Sequence, residues 1–364
     1  AMLNTLDPYT EYYPEERQKD LKQMLTGKYA GIGALIRYHQ RLKRCVIEEP
    51  YEGMPAAEVG LKKGDIILQI DDSLMTDKST SFVSSHLRGE PGTTFLLKIQ
   101  RPATGKTMTF KITRQTIKMP EITWYGMLAN QTGYIALNTF TGEPAKQMRL
   151  AFVDLKKQGA EKLILDLRGN GGGSLSECVD ILNMWLPKGQ KIVETRGKLK
   201  RANNEYRTRL EPIDTVIPLV VLVNKETASA SEITSGALQD LKRGVIVGTR
   251  TYGKGLVQGT RHVGYNGYLK YTTAKYYIPS GRCIQSRNYQ SGGTTTMVPD
   301  SLITEFRTAG GRKVYDGGGI VPDVKVDAEY VSRFALTLYA MGYMEDWADE
   351  YMRKHHDEVI DVRT

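Results

Sequence analysis

The sequence predicts an α/β core that carries an inserted small, mainly-β module, with helical segments at both ends. Three observations lead there. Between Ala30 and Ile117, short strand-like runs are split repeatedly by Gly and Pro. After Pro120, strand-like and helix-like runs alternate, the pattern of βαβ units and a largely parallel sheet. In one of those helical runs Leu175, Cys178, Val179, Leu182, Trp185 and Leu186 recur at the 3.6-residue period of a helix packed on a sheet. The resulting boundaries are 1–27 for an N-terminal helical segment, 28–118 for the β module, 119–327 for the α/β core and 328–364 for a C-terminal helical segment.

Taken in order, residues 12–26 carry Leu21, Met24 and Leu25 at loose helical spacing and read as a short helical lead-in. The β module has strand-like runs at 34–38, 44–48, 65–70, 94–101 and 107–113 and one helical stretch at about 79–87. In the core, strand-like runs fall at 133–140, 162–167, 217–223 and 245–248, with helical runs at 144–157, 175–186 and 230–241 between them. At the end, Phe334, Leu336, Leu338, Tyr339, Met341 and Trp347 predict helix over about 328–358. Neither an internal repeat nor a low-complexity tract is present.

Composition excludes several classes. The 364 residues, 40% of them hydrophobic, suffice for two or three compact units, and no run of 18 or more apolar residues occurs. A start at Ala1-Met2 with no charged-then-apolar leader implies a natural N-terminus that has been removed, together with any export signal or lipid anchor. Cys45, Cys178 and Cys283 are too few and too scattered for a disulfide framework or a zinc ribbon, and predict buried packing. None of His39, His86, His262, His355 and His356 sits at metal-ligand spacing, so no metal is expected, and a hydrolase built on this chain is expected to handle its protons with something other than histidine. The net charge of +9 is concentrated. Eight basic residues between Lys188 and Arg209 face only Glu194 and Glu205, and with Tyr206 alone for stacking they read as a solvated hairpin, not a nucleic-acid site.

Two loops invite a nucleotide and fail. Gly248 to Lys254 fits G-x-x-x-x-G-K, but Gly255 stands where a Ser or Thr must ligate magnesium, and the following residues read as extended. Asp166 to Gly173 ends a strand and precedes a helix, yet Ser174 replaces the third fingerprint glycine and no acidic residue closes a later strand at the required distance. Its glycines suit either a tight turn or a nest of outward amides that binds an anion or a developing oxyanion.

Ser229 lies between small residues at a strand-to-helix turn, a place that suits a helix cap and a nucleophile alike. A serine nucleophile needs a base. Lys254, between two glycines, can serve only as the neutral amine, which requires burial to lower its pKa from about 10.4 to about 7 or 8. Gln258 is the nearest uncharged group to orient it. Four residues of straight strand span about 13 Å, so that pairing demands a bend at Gly253 or Gly255.

The strings Ala228-Ser229-Ala230-Ser231-Glu232-Ile233, Ala237-Leu238-Gln239-Asp240, Gly253-Lys254-Gly255 with Gln258, Asp166-Leu167-Arg168, Thr273 to Arg282 and Gly319-Ile320-Val321-Pro322-Asp323 resemble the carboxyl-terminal processing (tail-specific) proteases, serine peptidases of the S41 class. The resemblance covers nearly the whole chain. It implies a crotonase/ClpP-like βαβ protease core with an inserted PDZ domain. It assigns Ser229 as nucleophile, Lys254 as general base and Gln258 as its orienting partner, with an oxyanion hole from the amides of Ala230 and of Gly171 or Gly172, while Asp240 is taken as structural. Gly31-Ile32-Gly33 with Ala34 resembles the loop and strand that bind a peptide carboxylate, and Arg88 resembles the arginine that couples peptide binding to activation in some relatives, a structural role being equally open. The function implied is an endopeptidase for unfolded proteins or proteins with exposed C-termini, working without cofactor or nucleic acid in the periplasm or cell envelope. A homo-oligomer or an adaptor is compatible with this, and membrane contact is expected only through the missing N-terminal segment. The alternative is a noncatalytic binder of peptides or hydrophobic ligands on the same fold.

Overall fold

A computed structural model describes residues 3, 6–118, 120–289, 295–327 and 331–355 of the chain. The outermost parts of the expected terminal segments, with His356, lie outside the described residues. The chain divides into two compact units, one of residues 1–27 and 120–328, the other of 28–119 and 329–364.

The first unit is built on a six-stranded sheet in the order Ile122–Leu128, Thr132–Leu137, Lys162–Asp166, Leu219–Val223, Val245–Gly248, Val324–Lys325. The first pair is antiparallel and every later pair parallel. Leu163, Leu165, Leu219, Val221, Val223 and Ile246 are buried in one core with the inward stripes of helices Pro144–Lys157, Leu175–Leu182 and Ala230–Asp240. Every residue of the last helix is buried, so it can carry small and polar groups only where each polar group finds a partner. A second sheet places Tyr268–Tyr277 at its centre, antiparallel to Leu256–His262, to Lys191–Arg196 and to Glu11–Tyr13. The basic run falls on this sheet as the hairpin Lys191–Arg196 and Asn204–Arg207, where Lys191 pairs with Glu194 and Glu205, and Arg207 with Glu205.

Three local readings change. The lead-in 12–26 begins as strand, with Tyr12 in Glu11–Tyr13, and after a 3-10 turn at Glu15–Arg17 the α-helix starts only at Gln18. The helix read as 175–186 ends at Leu182 because the Asn183 side chain takes the N–H groups of Arg209 and Leu210, each at 2.7 Å, and donates to the Leu210 carbonyl at 2.6 Å. Trp185 and Leu186 stay buried in a following turn, which is why their spacing mimics more helix. The C-terminal helical stretch is two helices, Arg333–Ala340 and Tyr343–Lys354, broken at Gly342.

In the second unit, strands Ala34–His39, Arg44–Pro50, Ile66–Ile70, Thr94–Arg101 and Lys106–Thr113 form an antiparallel sheet, and Lys28–Gly31 pairs with Gln115–Lys118 where the chain enters and leaves. Burial along Thr94–Arg101 alternates strictly, placing Phe95, Leu97 and Ile99 in a core with Ile47, Ile67, Val83 and Ile112. Helix Thr80–Leu87, capped by the Ser79 hydroxyl on Phe82 N–H at 3.2 Å, packs Val83 and Leu87 into that core.

Candidate active site

The parallel strands Lys162–Asp166 and Leu219–Val223 end side by side, so the loops that follow them meet. The first loop is anchored by Asp166, which accepts the Arg168 N–H at 2.9 Å, the Arg168 guanidinium at 2.6–3.0 Å and the Tyr134 hydroxyl at 2.5 Å. Burial opposes ionisation there, but the Arg168 and Tyr134 hydrogen bonds outweigh it and hold the carboxyl below its ordinary range. Asn170, fully buried, then ties the two loops together. Its carbonyl accepts Ala228 N–H and the Ser231 hydroxyl, both at 3.0 Å, and its side chain donates to the Leu137 carbonyl and accepts the Gly172 N–H at 2.9 Å.

That last bond corrects one expectation. The Gly172 amide is already hydrogen-bonded to the Asn170 side chain, so of the two glycine amides offered for an oxyanion hole it is not free to turn to a second acceptor. Gly172 contributes differently. With φ at +94°, it packs so closely on the second loop that a Cβ there would lie 2.7 Å from the Ala228 oxygen and 2.8 Å from both Ala230 N and Ser229 Cβ.

Ser229 stands at the N-terminus of helix Ala230–Asp240 with φ 57° and ψ −117°, a conformation that costs a non-glycine residue about 1–3 kcal/mol and persists only where surroundings impose it. The surroundings are explicit. Asn224 binds Gly169 N–H across the loops at 3.0 Å, Thr227 donates to the Leu167 carbonyl at 2.8 Å, and Glu232 reaches back to accept the Ser229 N–H at 2.9 Å. Ser231, the other serine of the string, is fully buried with its hydroxyl on Asn170, which leaves Ser229 as the half-buried one.

Glu232 is the residue that the sequence reading did not single out. Fully buried, it accepts the N–H groups of Ser229, Gly253 (2.7 Å) and Lys254 (2.8 Å) and the Thr251 hydroxyl (2.5 Å). Burial raises its carboxyl above the ordinary range, and those four donors offset that only in part. The spacing of a capping box, Ser then Glu three residues on, was the available signal. Tyr276, also buried, was likewise missed. Its hydroxyl donates to the Ser229 carbonyl at 3.2 Å and to that of Lys254.

Lys254 is thus brought to the same place as Ser229. Burial, aided by the positive charge of Lys270 and opposed by Glu232, lowers its amine below the ordinary 10.5. The amine lies 4.9 Å from the centre of the Tyr9 ring, and among the described residues no hydrogen bond joins it to the Ser229 hydroxyl. Nor, among the described residues, does a hydrogen bond join Gln258 to the Lys254 amine. The strand Leu256–His262 shifts register between Val257 and Gln258, which sets Gln258 opposite Thr272, and its amide donates to the Thr272 hydroxyl at 3.4 Å. Gly248 to Gly255 is followed by that strand, not by the helix a phosphate loop requires.

Asp240 belongs to a buried polar network. It meets Arg282 at 3.0 Å and accepts Ser280 N–H, while Arg282 also donates to Gln239 at 2.8 Å. In the second unit, Gly31, Ile32, Gly33 and Ala34 line one groove with Ile36 and Leu87, and Arg88 covers the Tyr29 ring at 4.8 Å beside it.

A model described as peptidase family S41 matches residues 131–300, and one described as a PDZ domain matches residues 46–101. A carboxy-terminal-processing protease of Bartonella bacilliformis is 35% identical over 289 residues, covering 78% of this chain and 65% of that protein. A probable CtpA-like serine protease of Staphylococcus aureus is 29% identical over 349 residues, 93% of this chain and again 65% of the relative. The chain therefore spans about two thirds of the length of these relatives. Among solved structures, the photosystem II D1 C-terminal processing protease matches with 30% identity and a TM-score of 0.50, over 90% of this chain and 80% of that one. A putative S41 protease of Bacteroides fragilis shares the fold at 18% identity, with a TM-score of 0.51 over 98% and 87% of the two chains.

Proposed function

Because the chain belongs to peptidase family S41 and carries an inserted PDZ domain, we propose that it is a serine endopeptidase that engages protein C-termini and cleaves through an acyl-enzyme on Ser229. The observation that carries this reading is the convergence of a strained Ser229 and a half-buried, pKa-lowered Lys254 on the same carboxylate, Glu232. Neutral Lys254 takes the proton of the Ser229 hydroxyl as the oxygen attacks the scissile carbonyl. The carbonyl oxygen becomes an oxyanion facing the amides of Ala230 and Gly171, at the positive end of the helix, where each donor in such a hole is worth about 3–4 kcal/mol. Collapse expels the amine of the C-terminal fragment, protonated by the lysine, and water then hydrolyses the ester by the same steps. With the amine resting over Tyr9, rotation of the Lys254 side chain precedes the first proton transfer.

In the PDZ unit, the substrate tail adds as a strand beside Ala34–His39, its carboxylate at the Gly31-Ile32-Gly33 amides and its last side chain against Ile32, Ile36 and Leu87. Casein or another unfolded substrate tests the reading. Ser229→Ala and Lys254→Ala should each abolish cleavage while thermal unfolding stays near that of the parent chain, and a serine-reactive probe should label the parent at Ser229. Cleavage retained by the Lys254 variant would overturn the proposed base.

A further inference from the structure

Around Lys254 every main-chain polar group is engaged. Gly253 and Lys254 donate to Glu232, Gly255 N–H donates to the Gln285 side chain at 2.7 Å, the Gly253 carbonyl accepts Ser286 N–H at 2.9 Å, and the Gly255 carbonyl accepts Tyr276 N–H at 3.0 Å. The remaining carbonyl, that of Lys254, is held by the Tyr276 hydroxyl, which reaches the Ser229 carbonyl as well. Ser229 and Lys254 are thus bound on both sides of their main chains by the same two side chains, with one carboxylate accepting both N–H groups and one phenol serving both carbonyls. Among the described residues, neither side chain hydrogen-bonds to the Ser229 hydroxyl or the Lys254 amine. The phenol is kept protonated, as a donor must be, because burial and then the neighbouring Glu232 push its pKa up.

Resting on the peptidase reading above, we propose that Tyr276, acting jointly with Glu232, is a positioning residue that sets the separation of the Ser229 nucleophile from the Lys254 base. The ring of Tyr276 belongs to the hydrophobic core, so Tyr276→Phe keeps the packing and removes only the clamp's oxygen. Glu232→Gln keeps the size and places an amide donor against N–H donors. Nucleophile and base must meet at hydrogen-bond distance, and a displacement near 1 Å costs on the order of 10²-fold in rate.

The test is steady-state cleavage of casein-derived peptides by the intact chain, with the probe-labelling rate of Ser229 and thermal unfolding measured in parallel. Tyr276→Phe should lower kcat by roughly 10- to 100-fold, leave KM within about twofold, and slow labelling by the same factor. Glu232→Gln should do likewise, and the double variant should lose little more than the worse single one, because both substitutions release the same pair of segments. Tyr276→Phe with a parental kcat overturns the clamp, as does a loss that merely follows the unfolded fraction or a double variant whose losses multiply. A parent chain that neither cleaves nor labels overturns the peptidase reading itself, and the clamp with it.

Discussion

At the residue scale, the site consists of groups held where they would not rest unaided. Ser229 sits in a conformation disfavoured for a side chain, and Gly172 supplies the space that conformation needs. Gly172→Ala should therefore destabilise the chain by about 1–3 kcal/mol and abolish probe labelling, with thermal unfolding and labelling as the two measurements. Lys254 carries a sign that can be checked. Its lowered pKa means that the neutral base accumulates as pH rises through a value below 10.5, so kcat/KM should climb with pH along that limb, and a flat profile would contradict a lysine base. Ser229 and Lys254 were legible in the sequence because small flanking residues and a lysine between glycines are unusual in themselves. Glu232 and Tyr276 were not, since a helix-start glutamate and a strand tyrosine have common uses. Their work depends on contacts 21 and 22 residues distant for Glu232 with Gly253 and Lys254, and 47 and 22 residues distant for Tyr276 with Ser229 and Lys254.

At the scale of elements, strand Glu11–Tyr13 does more than extend a sheet. It sets Glu11 and Tyr13 on the Lys270 amine at 3.3 and 3.2 Å, fixing a positive charge that contributes to the depression of Lys254. Removing it with Lys270→Met relieves repulsion of the protonated lysine, raises the Lys254 pKa and should move the rising limb of the pH–rate profile to higher pH, lowering activity near neutrality. Glu232 pulls in the opposite direction and is untouched by this change. A three-residue strand is invisible to periodicity arguments, and its partner Tyr268–Tyr277 lies more than 250 residues away in sequence. The same blindness explains the helix read too long at Asn183, whose side chain ends the helix by capturing a returning segment that local spacing cannot report. The strand after Lys254 shifts register between Val257 and Gln258, beyond Gly253 and Gly255 where the Gln258 pairing would need a bend, and this shift sets Gln258 opposite Thr272.

At the scale of the whole molecule, the division into an α/β unit and a strand-rich unit could be read from texture alone. Strict alternation and turn residues mark one, and mixed periods mark the other. Less legible was that residues 331–355 group with the strand-rich unit, because apolar spacing announces a helix without naming what it packs against. Within that unit, Gly33 is a place where a side chain cannot fit, since a Cβ would lie 2.4 Å from Met54 Cβ. Gly33→Val should deform the groove and raise KM for substrates with an apolar C-terminal tail, leaving kcat for short internal peptides near the parental value, as measured with matched tailed and tail-blocked substrates. The saturated main chain at Gly253 to Gly255 limits what can move at Lys254. A backbone with each amide and carbonyl occupied exchanges its hydrogens only through larger opening events, whereas side-chain torsions turn over in picoseconds to nanoseconds where they are not hemmed in. Any switch between a resting and a working lysine then leaves amide exchange at Lys254 unchanged and alters the reactivity of its amine toward a small acylating or methylating reagent.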